Sequence, residues 1–178
     1  MSSLRVTAGE LRGRRVPVPP RDVRPTSERT RQAFFNIVGD RIHGARFLDL
    51  FAGSGIFSFE AVSRGASSAT AVDHDRSHIA AIARTAEELK VPVRAVKGDV
   101  IDSIPRLEGP FDVIYADPPY DFADYDRLIS AIERVERAPD AIVAVEHRKR
   151  SNPFRAVAGT IRPQRRVEHG EVWITFFA

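Results

Sequence analysis

Hydrophobic positions along this chain follow two spacings, one typical of short buried strands and one typical of amphipathic helices. The predicted central strands are residues 46–50, 69–72, 93–96, 111–116 and 141–145. The predicted helices between them are residues 56–64, 76–90, 100–107 and 125–137. Strands that alternate with helices predict parallel β-α-β units, and hence a doubly wound, mostly parallel α/β sheet.

The two ends of the chain show a different pattern. Residues 4–18 contain two short alternating runs around glycines, which predict a small β-hairpin before a linker at residues 19–25. A helix then begins with Thr26 or Ser27 as its cap and ends near Gly39. At the other end, residues 156–161 and 165–177 are rich in β-forming residues, and we expect Gly170 to turn the latter into a closing antiparallel strand. These two runs bring the predicted sheet to seven strands. We therefore expect a hairpin arm over residues 1–25 and one larger domain over residues 26–178.

The most informative motif is Asp117-Pro118-Pro119-Tyr120, which directly follows the predicted strand 111–116. A carboxylate and a nearby backbone carbonyl can accept both hydrogens of an exocyclic amino group, while an aromatic ring stacks on the base that carries it. The motif predicts a site for methylating an amino nitrogen of a nucleobase. Its alternative interpretation is an ordinary strand end, since proline pairs also terminate strands.

Composition narrows the chemistry further. The 178-residue chain contains no cysteine, which excludes disulfides, thiolate zinc sites and iron–sulfur clusters. It also excludes methylation of a pyrimidine carbon through a cysteine adduct, because no thiolate nucleophile is present. No apolar run approaches the ~20 residues that span a bilayer, and the first residues lack the apolar core of a signal peptide. We therefore expect a cytoplasmic protein without a membrane partner.

A glycine turn, Ala52-Gly53-Ser54-Gly55, follows the first predicted strand, where doubly wound folds bind nucleotides. A dinucleotide fingerprint would require a third glycine at the position of Ser58, so a nicotinamide cofactor is disfavoured. Asp49, just before the turn, would repel a pyrophosphate but would suit the cationic amino group of S-adenosylmethionine.

Acidic residues also end the next two strands. Asp73 is placed to accept hydrogen bonds from ribose hydroxyls, and Asp99 is placed near an adenine amino group. Each carboxylate has an alternative role as a helix cap, but four successive strand ends with an acid favour a binding edge. Asp73-His74-Asp75 and His78 are poorly spaced for one metal, and we expect no metal site.

Positive charge is concentrated at the start of the chain. Residues 1–31 hold eight arginines against three acidic residues, although the whole chain has a formal charge of only +3. Arginine suits bidentate phosphate contacts and stacking on bases, so this segment predicts a nucleic-acid docking surface. A merely solvated arm is the alternative.

Together these motifs resemble the RsmD family, bacterial enzymes that methylate the N2 amino group of a guanine in 16S ribosomal RNA. The resemblance covers nearly the whole chain. Its distinguishing parts are an arm with Ala8-Gly9 and Arg12-Gly13-Arg14, followed by Arg24-Pro25-Thr26 with Arg29, before the glycine turn. One departure is His169-Gly170-Glu171-Val172, where a turn similar to Tyr-Gly-Asp is expected, and it affects local loop contacts.

The resemblance implies a class I, Rossmann-like methyltransferase fold and assigns roles to residues. The implied catalytic residues, which hold the target base, are Asp117, Pro118 and Tyr120. The predicted contacts of S-adenosylmethionine are Asp49, Phe51, Ala52, Gly53, Gly55, Asp73, His74, Asp99, Val100 and Asp117. The predicted RNA contacts are Arg5, Arg12, Arg14, Arg15, Arg24, Thr26 and Arg29. The implied partner is 16S ribosomal RNA in an assembled small subunit, with a monomeric enzyme as the default.

Three other functions remain open on the sequence alone. A DNA adenine N6-methyltransferase would use the same acceptor pair and stacking ring, although the chain has little room for a target-recognition region. An NAD(P)-dependent oxidoreductase is disfavoured by the missing glycine. A non-catalytic RNA-binding module that retains the fold is the third possibility.

Overall fold

A computed structural model describes residues 2–19, 27–149, 153–154 and 160–178 of the chain. Within these residues the strands are β1 (Ser3–Arg5), β2 (Arg15–Pro17), β3 (Arg46–Leu50), β4 (Ser68–Asp73), β5 (Val93–Lys97), β6 (Phe111–Ala116), β7 (Arg137–Arg148), β8 (Pro163–His169) and β9 (Val172–Phe177). The α-helices are α1 (Glu28–Val38), α2 (Ile56–Ser63), α3 (Arg76–Leu89), α4 (Val100–Ser103) and α5 (Tyr125–Arg134). Short 3-10 helices follow α1 and α4.

Seven strands form one sheet in the order β5-β4-β3-β6-β7-β9-β8, and β1 pairs with β2 in a separate hairpin. Strands β3 to β7 are mutually parallel, whereas β9 is antiparallel to both β7 and β8. The predicted α/β fold with a hairpin extension and an antiparallel closing strand is therefore confirmed. The strand order reverses between β3 and β6, which is where doubly wound sheets bind their ligands.

Helices cover both faces of the sheet. One apolar layer, under α1, α2 and α3, contains Phe34, Phe47, Phe57 and Tyr115, whose rings contact one another. The second layer, under α4 and α5, is built from aliphatic side chains such as Ile114. Burial on both faces explains why the central strands read as continuous apolar runs.

Helix α1 begins as predicted, and Ser27 is its cap. The Ser27 hydroxyl accepts a hydrogen bond from the Thr30 backbone amide at 3.1 Å. The other predicted cap, Thr26, lies outside the described residues. At the other end, Gly39 adopts a positive φ and closes the helix, as expected.

Two boundaries near β7 differ from the prediction. Helix α5 ends at Arg134 rather than near residue 137, and β7 extends over residues 137–148 rather than 141–145. The chain leaves the helix early because the Glu136 carbonyl accepts a hydrogen bond from the Phe111 amide at 2.9 Å. A register shift in the β6–β7 pairing then allows the strand to continue. Pairing between strands has overridden local helix propensity here.

Most of the predicted run 156–161 lies outside the described residues, whereas the run 165–177 divides at Gly170 into β8 and β9 as expected. No helix in the described part of the chain is long and apolar enough to cross a bilayer.

Candidate functional site

The glycine turn and the Asp-Pro-Pro-Tyr motif lie side by side at the carboxyl ends of β3 and β6. Leu50 pairs with Ala116, and the Asp117 amide donates a hydrogen bond to the Leu50 carbonyl at 3.2 Å. Beyond the strands, the rings of Phe51 and Phe122 meet edge to face at 5.3 Å between centroids. The two motifs that the sequence analysis singled out therefore form one continuous surface.

The turn itself depends on unusual backbone torsions. Phe51, Gly53 and Gly55 all have positive φ, at 62°, 54° and 76°. Such a conformation is strained for Phe51, and a strained residue at a strand end is typical of ligand sites. A Cβ on Gly55 would lie 2.9 Å from Cγ1 of Ile82, so this glycine also lets α3 pack closely against the turn. Ala52, likewise a predicted cofactor contact, is buried and fixes the turn to β4 through its amide and the Val72 carbonyl.

Asp49 is buried, and only one of its two carboxyl oxygens is hydrogen-bonded within the described chain. Its Oδ2 accepts hydrogen bonds from the Ser58 hydroxyl at 2.7 Å and from the Ser58 amide at 3.1 Å. Its Oδ1 has no hydrogen-bond partner among the residues that the structure describes. Burial raises the pKa of Asp49 to about 8, and the negative charges of Asp117 and Asp73 act in the same direction, against the Ser58 hydrogen bonds. A buried acid with a spare acceptor, and with no cation paired to it among the described residues, fits the ammonium group of a cofactor.

Asp73, at the end of β4, holds the turn in place. Its Oδ2 accepts a hydrogen bond from the Gly53 amide at 2.8 Å, and its Oδ1 accepts from the Asp75 amide at 2.8 Å. The ring of His78 lies 3.1 Å from the same Oδ1, whereas His74 is largely exposed and lies 3.6 Å away. A carboxylate has about four acceptor positions, so Oδ2 keeps capacity for one further donor such as a ribose hydroxyl.

Strand β5 contributes less to the candidate site than β3 and β4 do. Asp99 is exposed after β5 and caps α4, where its Oδ1 accepts a hydrogen bond from the Asp102 amide at 3.1 Å. The next residue, Val100, is buried beneath the strand ends. Both residues lie at the same edge of the sheet as Asp73, because β5 pairs in parallel with β4. The adenine-binding role of Asp99 stays a prediction.

The Asp-Pro-Pro-Tyr motif presents its carboxylate and ring at this edge. Asp117 is half-buried, Pro118 is buried, and Tyr120 is the only large hydrophobic side chain that is exposed in the described chain, at 37%. The negative charge of Asp117 reaches the buried phenols of Tyr115 and Tyr125, since it helps to raise the pKa of both. Burial is the larger cause, and it raises the pKa of Tyr125 to about 12.

Sequence reasoning missed two residues at the end of β7. Glu146 is buried and accepts a hydrogen bond from the Tyr115 hydroxyl at 2.6 Å. The Cζ atom of Arg148 lies 4.1 Å from the centroid of the Tyr120 ring. The signal was a charged run directly after the fifth apolar strand, but the predicted strand stopped at Val145. We call the carboxylates of Asp49, Asp73, Asp117 and Glu146 the acidic edge.

Two grooves of the described surface lie at the opposite, amino-terminal edge of the sheet. One is lined by the start of β7 and by Arg41, and the other by the starts of β3, β4 and β5. Neither contains a strand-end carboxylate, and ligands of doubly wound sheets bind at the carboxyl ends. We therefore assign the site to the acidic edge. No cluster of three or more histidine, aspartate or glutamate side chains in the described ranges is arranged to hold a metal.

The predicted RNA contacts are divided between exposed and undescribed positions. Those exposed on the hairpin and α1 are Arg5, Arg12, Arg14, Arg15 and Arg29. Arg15 is partly fixed, since its Nη1 donates a hydrogen bond to the Ser3 hydroxyl at 3.0 Å. The other two predicted contacts, Arg24 and Thr26, lie outside the described residues.

The hairpin is attached to α2 by a buried group that the sequence analysis did not anticipate. Glu60 is fully buried, and its carboxylate lies 3.4 Å from Nε of Arg31 and 2.9 Å from Nε of Arg64. It also accepts hydrogen bonds from the amide and hydroxyl of Thr7. We call Thr7, Arg31, Glu60 and Arg64 the hairpin anchor. Arg31 also donates a hydrogen bond to the Arg5 carbonyl at 2.9 Å, so the anchor fixes the exposed arginines to the domain.

Comparisons with known proteins agree with this geometry. A protein-family profile described as "Conserved hypothetical protein 95" matches residues 4–178. The ribosomal RNA small subunit methyltransferase D of Escherichia coli K12 is 32% identical over 146 residues, which cover 80% of this chain and 74% of that protein. The protein of the same name from Haemophilus influenzae is 33% identical over 153 residues, covering 82% and 79%. A solved structure described as the methyltransferase yhhF of Escherichia coli has a TM-score of 0.86 at 29% identity, and the match covers 99% of this chain and 97% of that one.

Proposed function

The chain belongs to the RsmD family of small-subunit ribosomal RNA methyltransferases, and on this premise we propose that it transfers a methyl group from S-adenosylmethionine to the N2 amino group of a guanine in 16S ribosomal RNA. One observation carries the proposal. The buried acid of the glycine turn, Asp49, and the carboxylate of the base motif, Asp117, lie at adjoining strand ends and influence each other electrostatically. A cationic cofactor and an amino-bearing base would therefore meet at one edge.

The residues of the turn fit the cofactor. When bound, S-adenosylmethionine supplies a sulfonium-activated methyl group that an amino nitrogen can attack. Asp49 would hold the cofactor's ammonium group, because its Oδ1 has no other partner in the described chain. Asp73 would bind the ribose, and Asp99 with Val100 would lie beside the adenine. Phe51, Ala52, Gly53, Gly55 and His74 would line the remaining surface.

Asp117, Pro118 and Tyr120 would hold the base. The Asp117 carboxylate and the Pro118 carbonyl accept the two hydrogens of the guanine amino group and orient its nitrogen. A guanine amino group is a weak nucleophile because its lone pair is delocalised into the ring, so alignment and electrostatics carry the rate enhancement. Asp117 then accepts the proton that the nitrogen loses, directly or through water. Stacking of the base on Tyr120 contributes about 1–3 kcal/mol.

The exposed arginines of the hairpin would bind the RNA backbone. Four of them lie on a hairpin that the anchor joins to α2 by hydrogen bonds, so the positive charge has a defined position relative to the acidic edge. This arrangement suits a folded RNA surface, and we assign the substrate to the assembled small subunit. The enzyme would act in the cytoplasm as a monomer.

The test is methyl transfer to small ribosomal subunits purified from a strain that lacks this protein. We expect labelled methyl from S-adenosylmethionine to appear on one guanine, identified as N2-methylguanine by mass spectrometry of the digested RNA. The Asp117→Ala variant should lose about 10²–10⁴-fold in turnover, since the amino group loses its acceptor.

Calorimetry provides the control, because Asp117 is only one of ten predicted cofactor contacts and cofactor affinity should fall far less than turnover in that variant. Label on adenine of duplex DNA, or normal turnover by Asp117→Ala, would contradict the proposal.

A further inference from the structure

A cation lies over the ring of Tyr120, the proposed stacking residue. Arg148 extends from the end of β7, and Tyr120 extends from the loop after β6, the neighbouring strand. The Cζ atom of Arg148 lies 4.1 Å from the ring centroid of Tyr120, which is cation–π distance. Tyr120 is the one exposed large hydrophobic side chain of the described residues, so its ring is the one on which an incoming base would stack.

The guanidinium also lies among the charges of the base site. Burial is the main cause of the raised pKa of Tyr125, and the negative charges of Asp117 and Glu146 add to it, whereas Arg148 opposes it. The charges of Asp117, which would hold the amino group, and of Arg148 therefore both act on the pKa of Tyr125. Arg148 therefore lies close enough to the base site for its charge to oppose that of Asp117 at this phenol.

We propose that Arg148 is a positioning residue for the target nucleotide, which occupies the stacking face of Tyr120 in the free protein and moves to the nucleotide's phosphate when the base enters. The inference rests on the proposed function. One ring face holds one stacked partner, so base and guanidinium exclude each other there. A guanidinium is suited to both states, because it stacks on aromatic rings and binds phosphate through two hydrogen bonds.

Two small ligands test separately the two steps of this proposal, displacement of Arg148 by the base and binding of the phosphate by Arg148. Guanosine carries the base without a phosphate, and guanosine 5′-monophosphate carries both. Their affinities for the full chain can be measured by ligand-observed NMR without cofactor. The wild-type protein should prefer the monophosphate, because only this probe recovers the arginine contact after displacing it.

The Arg148→Ala variant should bind guanosine roughly two- to fivefold more tightly, the size of an exposed cation–π contact that no longer competes. The same variant should lose the preference for the monophosphate by at least threefold. Arg148→Lys should retain part of that preference, because it keeps the charge. Unchanged guanosine affinity, or an unchanged preference, in Arg148→Ala would overturn the proposal.

Arg127→Ala is the matched control. Arg127 is an exposed arginine on α5 that pairs with Asp124, and its removal should leave both affinities unchanged. Loss of the preference in this variant as well would show a general charge effect and overturn the assignment to Arg148.

Assays on small ribosomal subunits give a second measurement. Arg148→Ala should raise KM about tenfold while kcat stays within threefold of wild type, because Asp117 still holds the amino group. An unchanged KM would overturn the proposal. If the wild-type protein itself transfers no methyl group, the proposed function fails, whereas the nucleotide preference of the free protein still tests the role of Arg148.

Discussion

Glu60 and Asp49 are both buried carboxylates, but the protein surrounds them differently. Glu60, in the hairpin anchor, lies within 3.4 Å of two arginines and accepts hydrogen bonds from Thr7. Asp49, at the acidic edge, has only Ser58 as a hydrogen-bond partner in the described chain, and two other carboxylates act on it electrostatically.

The difference separates a structural charge from a functional one. A buried charge that is paired within the chain joins parts of the fold, and removing one partner leaves the other uncompensated. A buried acid without a cation takes up a proton instead, and it ionises when a cationic ligand binds. The hairpin anchor is therefore held by ion pairs inside the free protein, although Nε and Nη1 of Arg31 make no hydrogen bond with the described residues, whereas the acidic edge is completed by what it binds.

The largest expected effect is a loss of stability when the hairpin anchor is disrupted. The Glu60→Gln substitution removes the single negative charge that lies between Arg31 and Arg64, so the free energy of unfolding should fall by about 3–5 kcal/mol. Urea denaturation followed by circular dichroism measures this loss.

Glu168→Gln provides the matched control, since Glu168 forms an exposed ion pair with Lys149 and its removal should leave the urea midpoint near that of wild type. If both variants unfold at the same urea concentration, the anchor contributes nothing special to stability.

The next largest effect is expected on RNA binding by the hairpin arginines, which the anchor holds in place. Replacing Arg12, Arg14 and Arg15 together by alanine should weaken binding to small ribosomal subunits by about tenfold at moderate salt. The slope of log affinity against log salt should flatten by roughly two to three, about 0.7–0.9 for each lost phosphate contact.

Filter binding over a salt series measures both quantities, and thermal unfolding of the triple variant should match wild type. A salt slope equal to that of wild type would show that these arginines do not contact the RNA backbone.

The smallest effect is a proton released at the acidic edge. Because burial raises the pKa of Asp49 to about 8, this acid is mostly protonated in the free protein at pH 7. A bound ammonium group would lower that pKa, so cofactor binding at pH 7 should release close to one proton, and less as the pH rises above 8. Calorimetry in buffers with different ionisation enthalpies measures the release.

The Asp49→Asn variant isolates this group, since it should bind the cofactor several-fold more weakly and without the extra proton. The same pKa determines stability: the free protein binds more protons at Asp49 than the unfolded chain does, so this group's contribution to stability declines as the pH rises from about 4 to 8. Equal proton release by wild type and variant would mean that Asp49 does not contact the ammonium group.

Local signals in the sequence were sufficient for most of the fold. Apolar runs of strand length, the Ser27 cap and Gly39 predicted elements whose boundaries the structure reproduces closely. The prediction was wrong around residues 134–141, because the Glu136 carbonyl pairs with Phe111, a residue distant in sequence. A hydrogen bond between remote segments leaves no local pattern.

Only part of the candidate site was predicted, because the other part also depends on contacts between remote segments. Asp49, Asp73 and Asp117 each lie at or next to the end of a recognisable strand, so their common edge could be inferred from parallel pairing. Glu146 and Arg148 follow the fifth strand equally closely, but their importance depends on contacts with Tyr115 and Tyr120 across the sheet. Glu60 likewise appeared as one more acid on a helix until Arg31 and Thr7 were found beside it.

The sequence by itself determined which strands form, the parallel order that collects four strand-end acids at one edge, and the concentration of arginine in the first residues. These features follow from periodicity, turn residues and charge, all of which act over a few neighbouring positions. Only the tertiary structure decided that Glu60 is paired with arginines inside the chain whereas Asp49 has no such partner among the described residues. It also decided that Arg148 lies over the ring of Tyr120. Burial and ion pairing are properties of three-dimensional surroundings, because they depend on residues that the chain brings together only when it folds.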